Sequence, residues 1–434
     1  MAPQAASKGP QTISISGLLK ELKSRSSIHE NEIAAAFALI FDNSLSAIQC
    51  SSFLSFLALS GRDQEPRILA TCASRMREAA AQIDRESLRR VIRTRGRRAG
   101  SYRGGLCDIV GTGGDGHSTF NVSTTASILG SSLLLIAKHG NRASSSTSGS
   151  ADLLQAIAPK APNIEAVTAE TLPRIYENSN YAFLFAPKFH TGMKHVATIR
   201  KELGFRTIFN LLGPLANPVE GLVEARIVGV AQQDLLPIFA ESLRLSGADK
   251  VLVVCGAENL DEISCAGITH CRRVSRRRDP KLNGISGNQE EDDSTSDEEG
   301  ESKATAEIDQ FALRPADFGL SSHPLSEVSP GKLPGENAET LMRLLHNKLP
   351  KDDPVLVFVL INTAALFAIS GICDADVSDM GHGDDGHVIR ETGPGGLRWK
   401  EGVRRARWAI ESGQALASLN AFIEATWAST ANNG

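Results

Sequence analysis

The chain has 434 residues, 41% of them hydrophobic and 22% charged, with a formal net charge of −4. This is ordinary globular composition for two or three domains. It excludes a core that depends on disulfide staples and argues against a nucleic-acid binder that uses the whole chain.

Seven cysteines form no Cys-x-x-Cys pair, which offers neither a zinc pattern nor a disulfide framework and reads as reduced thiols. The first twelve residues are polar and contain proline, without the apolar centre of a signal peptide. Apolar runs such as Leu133–Ala137 and Val355–Leu360 are far too short to span a bilayer. A cytoplasmic protein with no membrane partner is the expectation.

From Ile13 to about Ile92 apolar residues recur at helical spacing, with Leu18, Leu19 and Leu22 in one helix and Ile33, Phe37, Ile40 and Phe41 sharing a face of the next. A small all-helical domain over residues 1–100 is predicted, joined by helices from about 188–212. Arg89–Arg98 suits either an anion-binding arm or a solvated helix end running into a linker. The second reading is preferred, because no aromatic residues are interleaved for base stacking.

After Leu106 short apolar runs alternate with loops and helices: Cys107–Val110, Leu133–Ala137, Ala182–Phe185, Arg226–Val230 and Val251–Cys255. That alternation predicts an α/β domain over 101–434 with a mainly parallel sheet. Residues 276–305, acidic and serine-rich from Glu290 to Glu301, read as a disordered insertion, since they offer no apolar area to offset ordering entropy. Asp376–Arg398, rich in Gly and Asp, reads as a second excursion, and Gly402–Ile423 returns to helical spacing.

The densest chemical signal lies between Asp108 and Asp152. A strand ends in Gly111-Thr112-Gly113-Gly114-Asp115-Gly116, where successive backbone N–H groups can form a nest for phosphate; by itself the run also fits a plain glycine-rich turn. Asn121-Val122-Ser123-Thr124 follows at a predicted helix start, as caps or as phosphate ligands. A second strand then delivers Lys138-His139-Gly140-Asn141-Arg142, followed by the serine-rich stretch to Ser150. Two loops rich in anion ligands thus reach one edge of a sheet, where open α/β sheets bind ligands. Asp261-Glu262, after the apparent strand Val251–Cys255, is either a solvated turn or a pair of oxygen ligands for a hard cation.

Gly-Thr-Gly-Gly-Asp (111–115), Asn-Val-Ser-Thr (121–124), Lys-His-Gly-Asn-Arg-Ala-Ser-Ser (138–145), Phe-Leu-Phe-Ala-Pro (183–187) and the run from Arg200 to Pro218 together resemble the anthranilate phosphoribosyltransferases. The resemblance runs from the N-terminal helices to Phe422, apart from the two excursions. It implies transfer of the phosphoribosyl group of phosphoribosyl pyrophosphate (PRPP) to anthranilate in tryptophan biosynthesis. It also implies Mg2+ as cofactor, a fold like that of the nucleoside phosphorylases, and a homodimer through the helical domain, with no nucleic-acid partner.

Residue by residue, the resemblance assigns PRPP to Gly111, Gly114, Asp115, Thr119, Asn121, Val122, Ser123 and Thr124, and to Lys138, His139, Gly140, Asn141, Arg142, Ala143, Ser144, Ser145, Ser146 and Ser150. It assigns anthranilate to Gly111, Asn141 and Arg200, and the metal to Ser123, Asp261 and Glu262. Lys138 is the candidate to stabilise the leaving pyrophosphate. His139 is a candidate to take or polarise the amine proton, or a brace for its loop. The family's His-Pro-Ala-Met-Lys run reads His190-Thr191-Gly192-Met193-Lys194 here, a departure at the aromatic-substrate entrance. A pyrimidine-nucleoside phosphorylase is the nearest alternative on this fold; the acidic pair and the Arg200 run favour the transferase.

Overall fold

The computed structural model describes residues 12–24, 27–143, 148–276, 306–329 and 333–431. Four helices, Ser16–Ser24, Glu30–Phe41, Ala47–Ser60 and Pro66–Glu78, build the N-terminal bundle. Their ends are set locally. Ser46 Oγ accepts from the Gln49 N–H at 3.3 Å, and Gly61 ends the same helix in the left-handed region at φ 72°. Ile33, Phe37 and Ile40, spaced four and three residues apart, are all buried, as helical periodicity requires.

The larger part is a seven-stranded sheet in the order β3-β2-β1-β4-β5-β6-β7. Its strands are β1 (Leu106–Gly111), β2 (Leu135–Gly140), β3 (Tyr181–Phe185), β4 (Val223–Gly229), β5 (Lys250–Gly256), β6 (Thr269–Arg276) and β7 (Ala306–Leu313). β1 to β5 pair in parallel, while β6 and β7 continue the sheet antiparallel. The five runs predicted from the sequence are the five parallel strands. They were visible because a strand covered on both faces is apolar at nearly every position.

Side chains of β5 divide by parity between two cores. Val251, Val253 and Cys255 join the N-terminal helices, the segment Ile208–Ala216 and the helix Leu235–Leu245. Leu252 and Val254 face the other core, centred on the helix Pro354–Ser370. That helix is buried continuously from Leu356 to Ser370, so its apolar run serves packing on every side. Among the described residues no helix is long and apolar enough to cross a membrane. All seven cysteines are buried and free.

The helix Lys194–Leu203 contributes Val196 to the same core as the N-terminal bundle. The helix Arg85–Arg95 buries Leu88 in the larger core instead. Its arginines fasten it there: Arg85 donates to the Glu220 carbonyl at 2.8 Å, and Arg95 donates to the Glu177 carbonyl at 2.7 Å and to Asn180 Oδ1 at 2.8 Å. The Asp376–Arg398 excursion is held by Arg404, which bonds Asp384 Oδ1 at 3.0 Å, and by Glu401, which accepts from the Ile389 N–H at 2.9 Å.

β6 runs through Arg276, so the insertion read as 276–305 starts inside a strand; residues 277–305 lie outside the described residues. The β6–β7 ladder is in register to its last pair, Arg276 opposite Ala306. The residues that flank 277–305 therefore lie side by side. Replacing 277–305 with a two-residue Asn-Gly hairpin turn should leave turnover within a few-fold. Each halving of a loop's length recovers only about 0.6 kcal/mol of closure entropy, so melting should hold or rise by a few degrees. A variant that fails to fold or loses activity would show that the segment carries contacts of its own.

Candidate active site at the carboxyl ends of the parallel strands

β1 and β4 are neighbours that end opposite each other in glycine, Gly111 beside Gly229. Neither position has room for a side chain. A Cβ on Gly229 would lie 1.5 Å from the Asp261 carbonyl oxygen, and one on Gly111 would lie 2.4 Å from Asp261 Oδ2. The turn after β5 is thereby laid across the sheet edge, and its carboxylate reaches the loop after β1. Gly113 donates its N–H to Asp261 Oδ2 at 2.6 Å. Gly113, Gly114 and Gly116 all have left-handed φ, from 67° to 80°, which only glycine adopts without strain. The loop is tied again by Asp115: its Oδ1 accepts from the His117 N–H at 3.1 Å, while His117 Nε2 bonds the Glu258 carbonyl at 2.9 Å.

The next two elements start beside this loop. Asn121 caps the helix Val122–Gly130, accepting from the Thr124 N–H at 3.4 Å. Thr124 Oγ1 donates to Ser150 Oγ at 2.8 Å, which joins this helix to the start of the helix Ser150–Gln155. Asp152 holds Ala143 and Gly149 together, accepting from both backbone N–H groups at 2.9 and 3.0 Å. Ser144, Ser145 and Ser146 lie outside the described residues.

Three carboxylates converge here, and the electrostatics are unfavourable. Burial, then the Asp115 charge, pushes the Asp261 carboxyl up to about 7. Burial, then the charges of Asp261 and Asp115, raises Glu262 well above the usual carboxylate range, although Lys138 and a bond from the Ser123 backbone oppose this. Glu262 Oε2 has no accessible surface and no hydrogen-bond partner. A buried carboxylate oxygen without a partner calls for an explanation, and a hard divalent cation is a partner with matching chemistry. Among the described residues no three His, Cys, Asp or Glu side chains are arranged to hold a metal unaided. A cation shared between two carboxylates and ligand phosphate oxygens needs no such cage.

Lys138 is almost wholly buried and among the described residues donates only to the His139 carbonyl, at 3.4 Å. Burial lowers its pKa, while Asp108, Glu262 and Asp261 hold it up. Its positive charge is thus directed at the acids. His139 Nδ1 lies 3.2 Å from the Gly213 carbonyl, which fixes the proton on that nitrogen and leaves Nε2 as an acceptor without a partner. Burial, then His190, pushes His139 down to about 3. The His190 ring packs edge-on against it with centroids 5.2 Å apart, and burial pushes His190 down to about 4. Both rings are neutral at physiological pH.

Two predicted ligands are held by contacts within the chain. Arg142 is folded back onto Gln155 Oε1 at 2.6 Å and Asp152 Oδ1 at 3.3 Å, over the Phe185 ring. Arg200 lies in the last turn of its helix, over the Phe209 ring at 5.2 Å, with its pKa lowered by burial. Asn141 is exposed at the end of β2, Gly140 pairs with Phe185, and Thr119 is half-buried ahead of the capped helix. Gly192 is held tight: a Cβ there would meet Phe41 Cβ at 2.9 Å, which accounts for the absence of a larger residue in this run.

Sequence reasoning missed Asp108, Asn217 and Arg206. Asn217 Nδ2 bonds both Asp108 Oδ2, at 2.9 Å, and the Ala137 carbonyl, at 3.0 Å. Asp108 also accepts from the His139 backbone, so the two brace the strand that delivers Lys138. Arg206 donates from both terminal nitrogens to the Gly113 carbonyl, at 3.4 and 3.5 Å. Isolated polar residues far apart in sequence carry no local signal of such contacts. A cavity of 690 Å³ lies at the opposite edge of the sheet, lined by Arg98, Arg103, Lys250, Arg273 and Arg276 among others. Lys250 there is bonded to Ser101, Glu224 and Ser370.

Residues 103–416 match the family described as "Glycosyl transferase family, a/b domain", and residues 16–80 match "Glycosyl transferase family, helical bundle domain". The anthranilate phosphoribosyltransferase of Schizosaccharomyces pombe is 38% identical over 392 residues, 89% of this chain and 90% of that one. The anthranilate phosphoribosyltransferase of Methylocella silvestris is 31% identical over 94% of both. Among solved structures, the Saccharomyces cerevisiae anthranilate phosphoribosyltransferase in complex with PRPP and Mg superposes with a TM-score of 0.72 at 30% identity, covering 96% of this chain and 99% of that one. The same enzyme in complex with 4-fluoroanthranilate gives 0.70 at 28% identity, over 95% and 97%.

The loop geometry yields a direct test. Gly114 has φ +77°, and a side chain there would enter the space of the Arg206 guanidinium, 1.9 Å from Nη1. Gly114→Val should therefore distort the nest while both cores stay intact. Calorimetric affinity for magnesium pyrophosphate should fall at least about 10-fold, the loss expected when even one charge-assisted hydrogen bond goes, with little change in melting temperature. Unchanged affinity would remove the nest from the binding site.

Proposed function

The chain belongs to the anthranilate phosphoribosyltransferases, and from that premise we propose how its residues divide the work. The reaction transfers the phosphoribosyl group of PRPP to the amino group of anthranilate in tryptophan biosynthesis. It gives N-(5-phosphoribosyl)anthranilate and pyrophosphate, with Mg2+ as cofactor. The observation that carries the assignment is the buried pair Asp261 and Glu262, set against the N–H groups of the glycine loop and short of positive charge.

Asp261, Glu262 and Ser123 would hold Mg2+, which when bound neutralises charge on the leaving pyrophosphate. The PRPP ligands are Gly111, Gly114, Asp115 and Thr119, Asn121 to Thr124, Lys138 to Ser146, and Ser150. Backbone N–H groups of the loop and of the capped helix are fixed donors for phosphate oxygens and need no reorganisation as charge develops. Lys138 acts from within, balancing the carboxylates that would otherwise repel the ligand.

Anthranilate is assigned to Gly111, Asn141 and Arg200. Its carboxylate suits the guanidinium fork of Arg200, which has no ion pair among the described residues and is kept in place by Phe209. The amine is neutral and needs orientation more than deprotonation. A His139 ring with its acid strength pushed to about 3 is a poor proton acceptor, so its part is to accept a hydrogen bond from the amine through Nε2. Holding both reactants in line can lower the barrier by roughly 7–11 kcal/mol in favourable cases.

A homodimer through the helical domain is the proposed assembly. It is supported by Ile48 and Leu59, 79% and 76% exposed on the helix Ala47–Ser60 and three turns apart on one face. Ile48→Glu with Leu59→Glu should sediment as a monomer; a variant that keeps the wild-type mass would place the interface elsewhere. A cytoplasmic location is supported by the seven unpaired cysteines, and cell fractionation would test it.

The decisive experiment follows product formation through loss of anthranilate fluorescence, across a magnesium titration, for wild type and for Asp261→Asn with Glu262→Gln. The variant should lose activity at low magnesium and recover part of it at high magnesium, because concentration offsets weaker binding. Overlaid curves would remove the pair from the metal site. Stability supplies a second readout. An acid whose folded pKa lies above its unfolded value of about 4 destabilises the fold once it ionises. Magnesium-free wild type should therefore lose melting temperature as pH rises from 5 to 8, and the double variant should not.

A further inference from the structure

We propose that Arg206 is a ligand of the pyrophosphate group, a second arginine of the site on the donor side, where Arg200 serves the acceptor; this rests on the phosphoribosyltransferase reading above. Arg206 is exposed, and among the described residues its only bonds run from Nη1 and Nη2 to one acceptor, the Gly113 carbonyl, at 3.5 and 3.4 Å. Both are long for N–H···O bonds. Five donors on a guanidinium are thus served by one shared oxygen, and no described carboxylate pairs with it. The group nevertheless stands directly over the nest: its Nη1 lies 1.9 Å from where a Gly114 Cβ would be.

The other side of the same residue completes the picture. Gly113 gives its N–H to Asp261 Oδ2 at 2.6 Å. One glycine therefore has the arginine at its carbonyl and an acidic cation ligand at its amide. A dianionic phosphate entering between them meets a cation that is weakly held and free to turn. Two parallel bonds to phosphate oxygens are stronger than two long bonds to a carbonyl, so the guanidinium should leave Gly113 for the ligand.

The chain path links this to the second substrate. Gly204, at φ 68°, ends the helix that carries Arg200, and Arg206 follows two residues later. The turn is then fixed, because the Thr207 N–H donates to Asn210 Oδ1 at 3.0 Å. Arg200 and Arg206 thus belong to one helix-and-turn unit attached to the helical domain, and each extends toward a different reactant.

The test is titration calorimetry with magnesium pyrophosphate on wild type, Arg206→Ala, Arg206→Lys and Arg200→Ala, with melting temperatures recorded for each. Arg206→Ala should bind about 10- to 100-fold more weakly, the range expected for losing charged hydrogen bonds. Arg206→Lys should fall between, since it keeps the charge and loses the fork, and Arg200→Ala should match wild type. In turnover, Arg206→Ala should raise the KM for PRPP and leave the KM for anthranilate within about twofold, a split that a general loosening of the fold would not give. If Arg206→Ala binds magnesium pyrophosphate as wild type does, the residue is only a strut between the helical domain and the loop, whatever its melting temperature. If wild type itself does not bind magnesium pyrophosphate, the reading of the whole site fails and this inference with it.

Discussion

Asp261 fills space that any side chain at position 111 or 229 would occupy, and most of the site depends on that close approach. Two parallel strands end in glycine at the same level, so the turn after the next strand can lie across them. The backbone of that turn packs on one strand, and its carboxylate grips the loop from the other. Removing carboxylates from water costs several kcal/mol each unless they are compensated. Here compensation within the chain is incomplete: Lys138 opposes the charge, Asp115 adds to it, and one oxygen of Glu262 has no partner. The fold keeps an electrostatic deficit, and the cores on both faces of the sheet supply the stability that allows it.

Around this point the neighbours fall into four groups. Backbone amides, fixed by positive φ and by the Asn121 cap, are donors that cannot move. Buried charges, Lys138 and Asp108, set the potential from below. Arginines on the helical side, Arg200 against the Phe209 ring and Arg206 on long bonds to the Gly113 carbonyl, have no carboxylate partner among the described residues. His139 and His190, kept neutral by burial, give shape and one lone pair without adding charge. The division sets rigid backbone donors beside cations that have no carboxylate partner among the described residues.

The five parallel strands could be read because burial on both faces writes an apolar run into the sequence. The hairpin β6–β7 could not. Arg272 and Arg273 interrupt β6, and much of β7 is exposed, so neither reads as a core strand. The glycine loop and the capped helix were legible as local patterns, whereas the value of the Asp-Glu pair needed the family's motifs, since an isolated acidic dipeptide is normally a solvated turn. Orientation was not legible at all. Lys138 and Arg142 sit in the predicted loop, yet one turns toward buried acids and the other back onto Asp152 and Gln155. Asp108, Asn217 and Arg206 act through contacts between residues far apart in sequence, which no spacing rule reports.

The seven cysteines have a practical consequence. Each is buried and unpaired, and burial pushes those thiols it perturbs to higher pKa, so that little reactive thiolate forms at neutral pH. The folded surface is therefore chemically silent toward maleimides and disulfide reagents at these positions. A single cysteine introduced on the turn beside Arg206 would be the site at which a spectroscopic label attaches. The wild-type background would need no prior removal of native thiols, and movement of that turn against the glycine loop could be followed in solution.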